Sequence, residues 1–256
     1  MRTPAPPLPP DFETLTFPGG TAVVRRDVAV AVRGAIAAAG TLHRWAGRQP
    51  GHRTFEGRGE VYGVALGPVR AAVRHARHGG SLAPLLGDRF LGRPRFHHEA
   101  ALSRLLAGGG LRTPAVLAGV RYRLWPFHRA DVATELIEGA DLASLFYGDR
   151  PPEGDARGAV LEAVGRLVRQ LHDLGHVHPD LQLRNIVVTG SRSPHPEAWL
   201  IDLDTCRPMR GRAEAERAHN LARFERSWAK WNRKRGARLT DQDRAVFSAA
   251  YLAELG

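Results

Sequence analysis

Gly175 to Asn185 reads GHVHPDLQLRN, and Ala198 to Thr205 reads AWLIDLDT. Together the two runs set a carboxylate at Asp180, an amide at Asn185 and a second carboxylate at Asp202, which ends an apolar stretch. From His178 to Asn185 the spacing is H-x-D-L-x-x-x-N. Carboxylate and amide oxygens are hard ligands that suit magnesium, and a carboxylate beside a hydroxyl can orient it and take its proton. Short strands over Asn185–Val188 and Trp199–Ile201 are expected to bring Asn185 and Asp202 to one metal.

This spacing, with an acid at the end of a following strand, is the pattern of the kinase catalytic loop and its metal-binding Asp. It points to phosphoryl transfer from ATP, with Asp180 beside the acceptor hydroxyl and Asn185 and Asp202 as Mg2+ ligands. An alternative stays open. HVHPD also matches the H-x-H-x-D opening of a zinc hydrolase motif, with His176, His178 and Asp180 as ligands. That motif continues with another histidine, where Leu181 stands here.

Upstream of the loop, Val160, Leu161, Val164, Leu167, Val168, Leu171 and Leu174 recur at helical period. The spacing predicts a buried scaffolding helix over Asp155–Leu174, with Asp155 as N-cap and Gly175 closing it. Ala130–Gly139 reads as a strand entering a hinge, and backbone groups near Glu135, Leu136 and Ile137 are the candidates to hold adenine. A helix over Arg95–Ala107 has an apolar stripe at Phe96, Leu102, Leu105 and Leu106, with Glu99 its only acid.

Further back, Gly57, Gly59 and Gly63 give a G-x-G-x-x-x-G run between alternating apolar residues, one residue longer than the kinase Gly-rich loop. Glycines let backbone approach phosphate closely, so this hairpin is a candidate cover for the nucleotide; an ordinary glycine-rich turn is the alternative. Ala71-Ala72-Val73-Arg74 stands where kinases carry V-A-I-K. Arg74 is then the residue for the α- and β-phosphates, with Glu99 as its helix partner, against a solvated basic strand and a surface Glu. Ahead of these, Phe12–Arg26 reads as two strands around Pro18-Gly19-Gly20, followed by a helix from an Asp27 N-cap to Ala39 and a polar connection over Trp45–Thr54.

Downstream, Ala213–Leu255 reads as two or three helices. Leu221, Phe224, Trp228 and Trp231 share a face opposite Arg223, Arg226, Lys230, Arg233 and Lys234. Such a helix either rests on an anionic membrane surface or packs its aromatics inward with its cations solvated. Asp204 is a second acid beside Asp202, either a further ligand or a backbone partner.

The 37 Lys and Arg against 26 Asp and Glu leave a net charge of +11, which suits anionic partners. No aromatic–basic recognition motif accompanies it, so nucleic acid is not expected. No run of about eighteen apolar residues is present. The proline-rich start lacks the apolar core of a secretory signal and reads as a flexible tail. A single cysteine, Cys206, excludes an internal disulfide and fits a reducing cytosol.

The fold class expected is α+β: a protein-kinase-like two-lobe fold with a tail over 1–12, a strand-rich N-lobe over 13–133 and a helix-rich C-lobe over 134–256. Several runs carry a closer resemblance: GRGEVYGV, VRHARHGGSLAPLLGDRF, the helix around Glu99 leading to GGLRTPAV, TELIEGADLASL, HVHPDLQLRNIVV, LIDLDTCRP and NLARFERSW. The chain resembles the lipopolysaccharide kinase family, and within it the 3-deoxy-D-manno-octulosonic acid (Kdo) kinases. That resemblance implies ATP-dependent phosphorylation of a sugar hydroxyl on Kdo of the lipid A inner core. It puts Asp180 at the base position, Asn185 and Asp202 at metal positions, and Arg74 with Glu99 at the nucleotide pair. It also implies a Kdo-containing glycolipid acceptor, and hence a cytoplasmic protein in peripheral contact with the anionic inner face of the inner membrane.

Overall fold

The structure is a computed structural model and describes residues 9–56, 59–77, 87–92 and 96–253. Gly57, and the His78-Gly79-Gly80 end of the basic run, lie outside the described residues. The chain divides into two compact units, one running to Ser103 and joined by Ala115–Leu136, the other comprising Arg104–Pro114 and Ile137 onward.

The first unit is built on a seven-stranded antiparallel sheet among the described residues. Its order is β1 (Phe12–Phe17), β2 (Gly20–Arg25), β6 (Val116–Leu124), β7 (Phe127–Glu135), β5 (Val69–His75), β4 (Glu60–Leu66) and β3 (Arg53–Glu56). One face is covered by α1 (Ala29–Ala39) and α2 (Leu42–Ala46), whose Val32, Ile36 and Leu42 join Ala71, Val73 and Val120 in one core. Against the opposite face lies the start of α3 (Phe96–Gly108), where Phe96 packs on Val23 and Val132. Strand side chains alternate between faces. Hence Ala71 and Val73 point toward α1 and α2 while Arg74, between Val73 and His75, points toward α3.

Three sequence expectations need correcting between β2 and the end of α3. The helix after β2 does not start on an Asp27 cap: a 3-10 turn over Arg26–Val28 precedes α1, and Asp27 is taken by the Arg25 guanidinium at 2.7 Å. Nor is the region around Trp45 simply a connection, because Thr41 caps α2 and β3 follows. Leu105 is 61% exposed and stands off the stripe, whose buried members are Phe96, Leu102 and Leu106.

In the second unit α5 (Gly154–Asp173) buries Val160, Leu161, Val164, Leu167, Val168 and Leu171. Asp155 lies in its first turn, and Glu153 occupies the cap position without a side-chain bond, so the expected Asp155 cap is a correction. Gly165 lets α7 (Asp241–Leu252) come close, since a Cβ there would meet the Phe247 carbonyl oxygen at 2.6 Å. Thr240 and Asp243 close a capping box on α7, worth about 1 kcal/mol for the cap. Around this pair run β8 (Ala140–Asp141), α4 (Leu142–Tyr147), β9 (His176–Val177), the hairpin β10 (Ile186–Thr189) and β11 (Glu197–Leu200), β12 (Arg207–Pro208) and the long helix α6 (Ala213–Arg235).

Candidate active site

Each unit carries one cluster of the residues singled out from the sequence. In the first, Arg74 Nη2 donates to both Glu99 oxygens at 2.8 Å, and Glu99 is 3% exposed. Strand alternation aims Arg74 at α3, and Glu99 in the helix's first turn meets it, so the pair forms from two regular elements. Gly59 lies in the bend between β3 and β4, where a Cβ would come within 3.4 Å of Arg77 Nε. A second cation therefore stands beside the glycine tip. Gly63 sits inside β4, opposite Arg53 and Ala72, and a Cβ would meet Phe55 and Leu136 at 3.0 and 3.1 Å. Packing against those side chains is enough to require a glycine there.

Two backbone donors of the adenine candidates are engaged within the first unit. Glu135 N–H is bonded to the Ala115 carbonyl and Leu136 N–H to the Arg70 carbonyl, at 2.8 and 2.9 Å. Sheet pairing has used those two donors. Ile137 falls in the second unit, and its carbonyl accepts from Gly139 N–H at 3.0 Å.

The second cluster is the loop after β9. The pairing Ile186↔Leu200 in the β10–β11 hairpin sets Asn185 and Asp202 at the same hairpin end, and Ile201 N–H donates to the Asn185 carbonyl at 2.9 Å. Asn185 closes a 3-10 turn just before β10. Its side-chain NH2 donates to the Asp180 carbonyl at 2.9 Å, a bond that does not use the amide oxygen. Asp202 has φ 63° and ψ 56°, the sole non-glycine in the left-handed region among the described residues. Asp tolerates that conformation better than most residues, and such backbone is concentrated at functional sites.

His178 is fully buried, and its Nε2 meets the Asp202 carbonyl oxygen at 3.0 Å, so that nitrogen carries the proton. It is a packed histidine tying the loop to the turn that holds Asp202. His176 Nδ1 likewise donates to the Leu174 carbonyl at 2.7 Å, while Asp180 turns to an arginine. The three side chains of the zinc alternative are thus engaged separately, and no group of three or more metal-ligating residues gathers among the described residues. Cys206 is buried, which pushes its thiol up to about 12 and removes it as a nucleophile.

What the sequence did not reveal is the clamp from α6. Asn220 accepts from His178 N–H at 3.2 Å and donates to the His178 carbonyl at 2.6 Å. Arg223 Nη2 donates to Asp180 Oδ1 at 2.7 Å, and Ser227 Oγ accepts from Leu183 N–H at 3.2 Å. These residues stand at i, i+3 and i+7, one helical face. Arg223, expected among the solvated cations, is instead a partner of the loop carboxylate. The aromatics pack inward: Phe224 and Trp228 are buried, and Trp231 lies against Arg184 and Tyr147. Polar residues recurring within an apolar stripe were the available signal, in NLARFERSW.

A sheet of this order followed by a helical unit, with H-x-D-L-x-x-x-N in the loop after β9, defines a protein-kinase-like phosphotransferase. The description "Lipopolysaccharide kinase (Kdo/WaaP) family" matches residues 43–251, and the chain belongs to that family. A 3-deoxy-D-manno-octulosonic acid kinase of Photobacterium profundum is 34% identical over 201 residues, covering 77% of this chain and 80% of that protein. One of Haemophilus influenzae (strain 86-028NP) is 33% identical over 206 residues, with 77% and 82% covered. Among solved structures, "WaaP in complex with acyl carrier protein" aligns at a TM-score of 0.51 and 20% identity, over 78% of this chain and 77% of that one. The α+β kinase-like fold is thereby shown, and ATP use follows from the family.

Proposed function

We propose that this protein transfers the γ-phosphoryl group of ATP to a sugar hydroxyl of Kdo in the lipid A inner core. The observation that carries this reading is the hairpin end that sets Asn185 and Asp202 together beside a loop whose Asp180 is held by Arg223. Asp180 orients the acceptor hydroxyl and takes its proton as the new O–P bond forms and the bond to ADP breaks. Arg223 keeps one oxygen of that carboxylate fixed, and Asn220 and Ser227 fix the loop around it.

Asn185 Oδ1 and the Asp202 carboxylate fit Mg2+ by donor chemistry, both being hard oxygens at one hairpin end. When bound, the ion neutralises charge on the transferring phosphates. Arg74, fixed by Glu99, meets the α- and β-phosphates; Gly59, with Arg77 beside it, covers them. Ile137 supplies backbone contact to adenine. With lipid-borne substrate the protein works at the cytoplasmic face of the inner membrane, in peripheral contact with it. Among the described residues no helix is long and apolar enough to cross a membrane.

The test is transfer from γ-labelled ATP with magnesium to Kdo-lipid A in detergent micelles, followed by mild acid release of the Kdo. Label is expected on the released Kdo with wild type and not with Asp202→Asn, which keeps the side-chain shape and removes the charge. Unlabelled glycolipid from an enzyme that still binds ATP would reject the acceptor.

A further inference from the structure

The first unit carries a surface that none of these roles uses. The β6–β7 hairpin ends in Leu124-Trp125-Pro126, with Trp125 94% and Leu124 38% exposed. Residues 121–129 read RYRLWPFHR, three arginines with no acid. Beside the tip opens a cavity of about 470 Å³ whose lining includes Phe17, Leu124, Arg44, Arg123, Arg129 and Asp88. Of its lining, Tyr122 Oη and His43 N–H donate to buried Asp131 at 2.9 Å, and His75 pairs with it at 2.6 Å. Arg129 shares Asp88 at 2.8 Å. Arg44 and Arg123 have no carboxylate partner among the described residues.

An exposed indole at a hairpin tip beside uncompensated guanidinium groups matches the chemistry of a bilayer interface. Tryptophan favours the headgroup level, and arginines gain from the negative surface of anionic lipids. A cavity of this size between arginines has room for a phosphate-bearing headgroup. We propose that the Leu124–Pro126 tip and the Arg44/Arg123/Arg129 rim form the docking surface of this protein on an anionic phospholipid bilayer. The inference rests on reading the acceptor as a membrane glycolipid, and it moves the contact away from α6. There Trp228 is buried, Trp231 is partly buried against Arg184 and Tyr147, and Arg223 is engaged by Asp180.

The experiment is co-sedimentation of the full chain, without ATP or acceptor, with phosphatidylcholine vesicles and with vesicles also containing phosphatidylglycerol. Wild type is expected to bind the anionic vesicles preferentially. Arg123→Glu, a change of two charge units, should weaken that binding roughly 25-fold, taking about fivefold per unit near the surface. Trp125 is far more exposed than Trp45, Trp199, Trp228 or Trp231. Adding anionic vesicles should therefore blue-shift the emission, and Trp125→Phe should lose the shift.

As the contrasting variant, Arg233→Glu/Arg235→Glu reverses exposed charges at the end of α6. Loss of binding there, with Arg123→Glu unaffected, would overturn the proposal in favour of the helix. No vesicle binding by wild type, or equal binding to both vesicles with Trp125 still water-exposed, would also overturn it. Failure of Kdo labelling in micelles would instead strike the acceptor reading, because micellar transfer does not need the docking surface.

Discussion

Two arginine–carboxylate pairs, one in each unit, are built for different work. Arg74–Glu99 has its carboxylate inside the protein, with both oxygens bonded to one guanidinium nitrogen at 2.8 Å. Arg223–Asp180 has both side chains about one quarter exposed and holds a single oxygen, Oδ1, at 2.7 Å. Oδ2 of Asp180 has a longer contact, 3.3 Å, from Gln182 Nε2. A pair that engages both oxygens of its acid fixes the arginine; one in which the arginine holds a single oxygen fixes the carboxylate. On the proposed function, the cation is the working group of the first pair and the acid that of the second.

The largest effect should come from removing that acid. Asp180→Asn keeps the shape and discards the proton acceptor, so kcat should fall by ~2 to 4 decades, the usual worth of a positioned acid or base, with the KM for ATP nearly unchanged. Single-turnover transfer to Kdo-lipid A measures it; a loss below tenfold would remove Asp180 from the base position. Next comes the buried pair. Glu99→Gln replaces a charge-assisted contact worth about 1.5 to 3 kcal/mol, so kcat/KM for ATP should drop roughly 10- to 100-fold, mainly through KM. A kcat-only loss would show that Arg74 does not serve the nucleotide.

These pairs also differ in how far the sequence disclosed them. Arg74 and Glu99 lie on a strand and a helix whose periods fix which way side chains point, so pairing them needed only element order. Asn185 and Asp202 were similarly legible, flanking two strands that pair with each other. Arg223 sits 43 residues beyond Asp180 on a helix whose approach to the loop is a tertiary fact. Charge alone placed it with the solvated cations, and only the i, i+3, i+7 grouping with Asn220 and Ser227 hinted otherwise. Gly63 was ambiguous for another reason: a glycine needed for close sheet packing looks the same in sequence as one needed for phosphate. The donors of Glu135 and Leu136 were unreadable because backbone bonds leave no side-chain trace.

A smaller effect is expected for Arg223, which acts through Asp180. Arg223→Met should lower kcat about tenfold, the low end for a contact to a charged group that water partly screens, and leave the KM for ATP alone. Arg223→Lys should recover part of the loss, since an ammonium can still reach one oxygen. Equal losses in both variants, with a lowered melting temperature, would mean that the arginine only supports the fold of α6.

The contrast between charged and neutral partners recurs in two histidines, where the expected effects are smallest. Bonding to Asp131, with Asp88 on its other nitrogen, raises His75 above its ordinary 6.5. Burial lowers His172 below 6.5; its partners are the neutral Asn220 and Tyr251. The stabilisation from His75 is therefore complete below 6.5 and lost as pH rises through its raised value. That from His172 is complete above 6.5 and lost as pH falls toward its depressed value. Urea midpoints measured between about pH 5 and pH 8 span the range in which a histidine changes charge. His75→Gln should flatten the alkaline side of that profile and His172→Gln the acid side. If both substitutions flattened the same side, the carboxylates around His75 would not be setting its charge, and the two imidazoles would be doing the same job in different units.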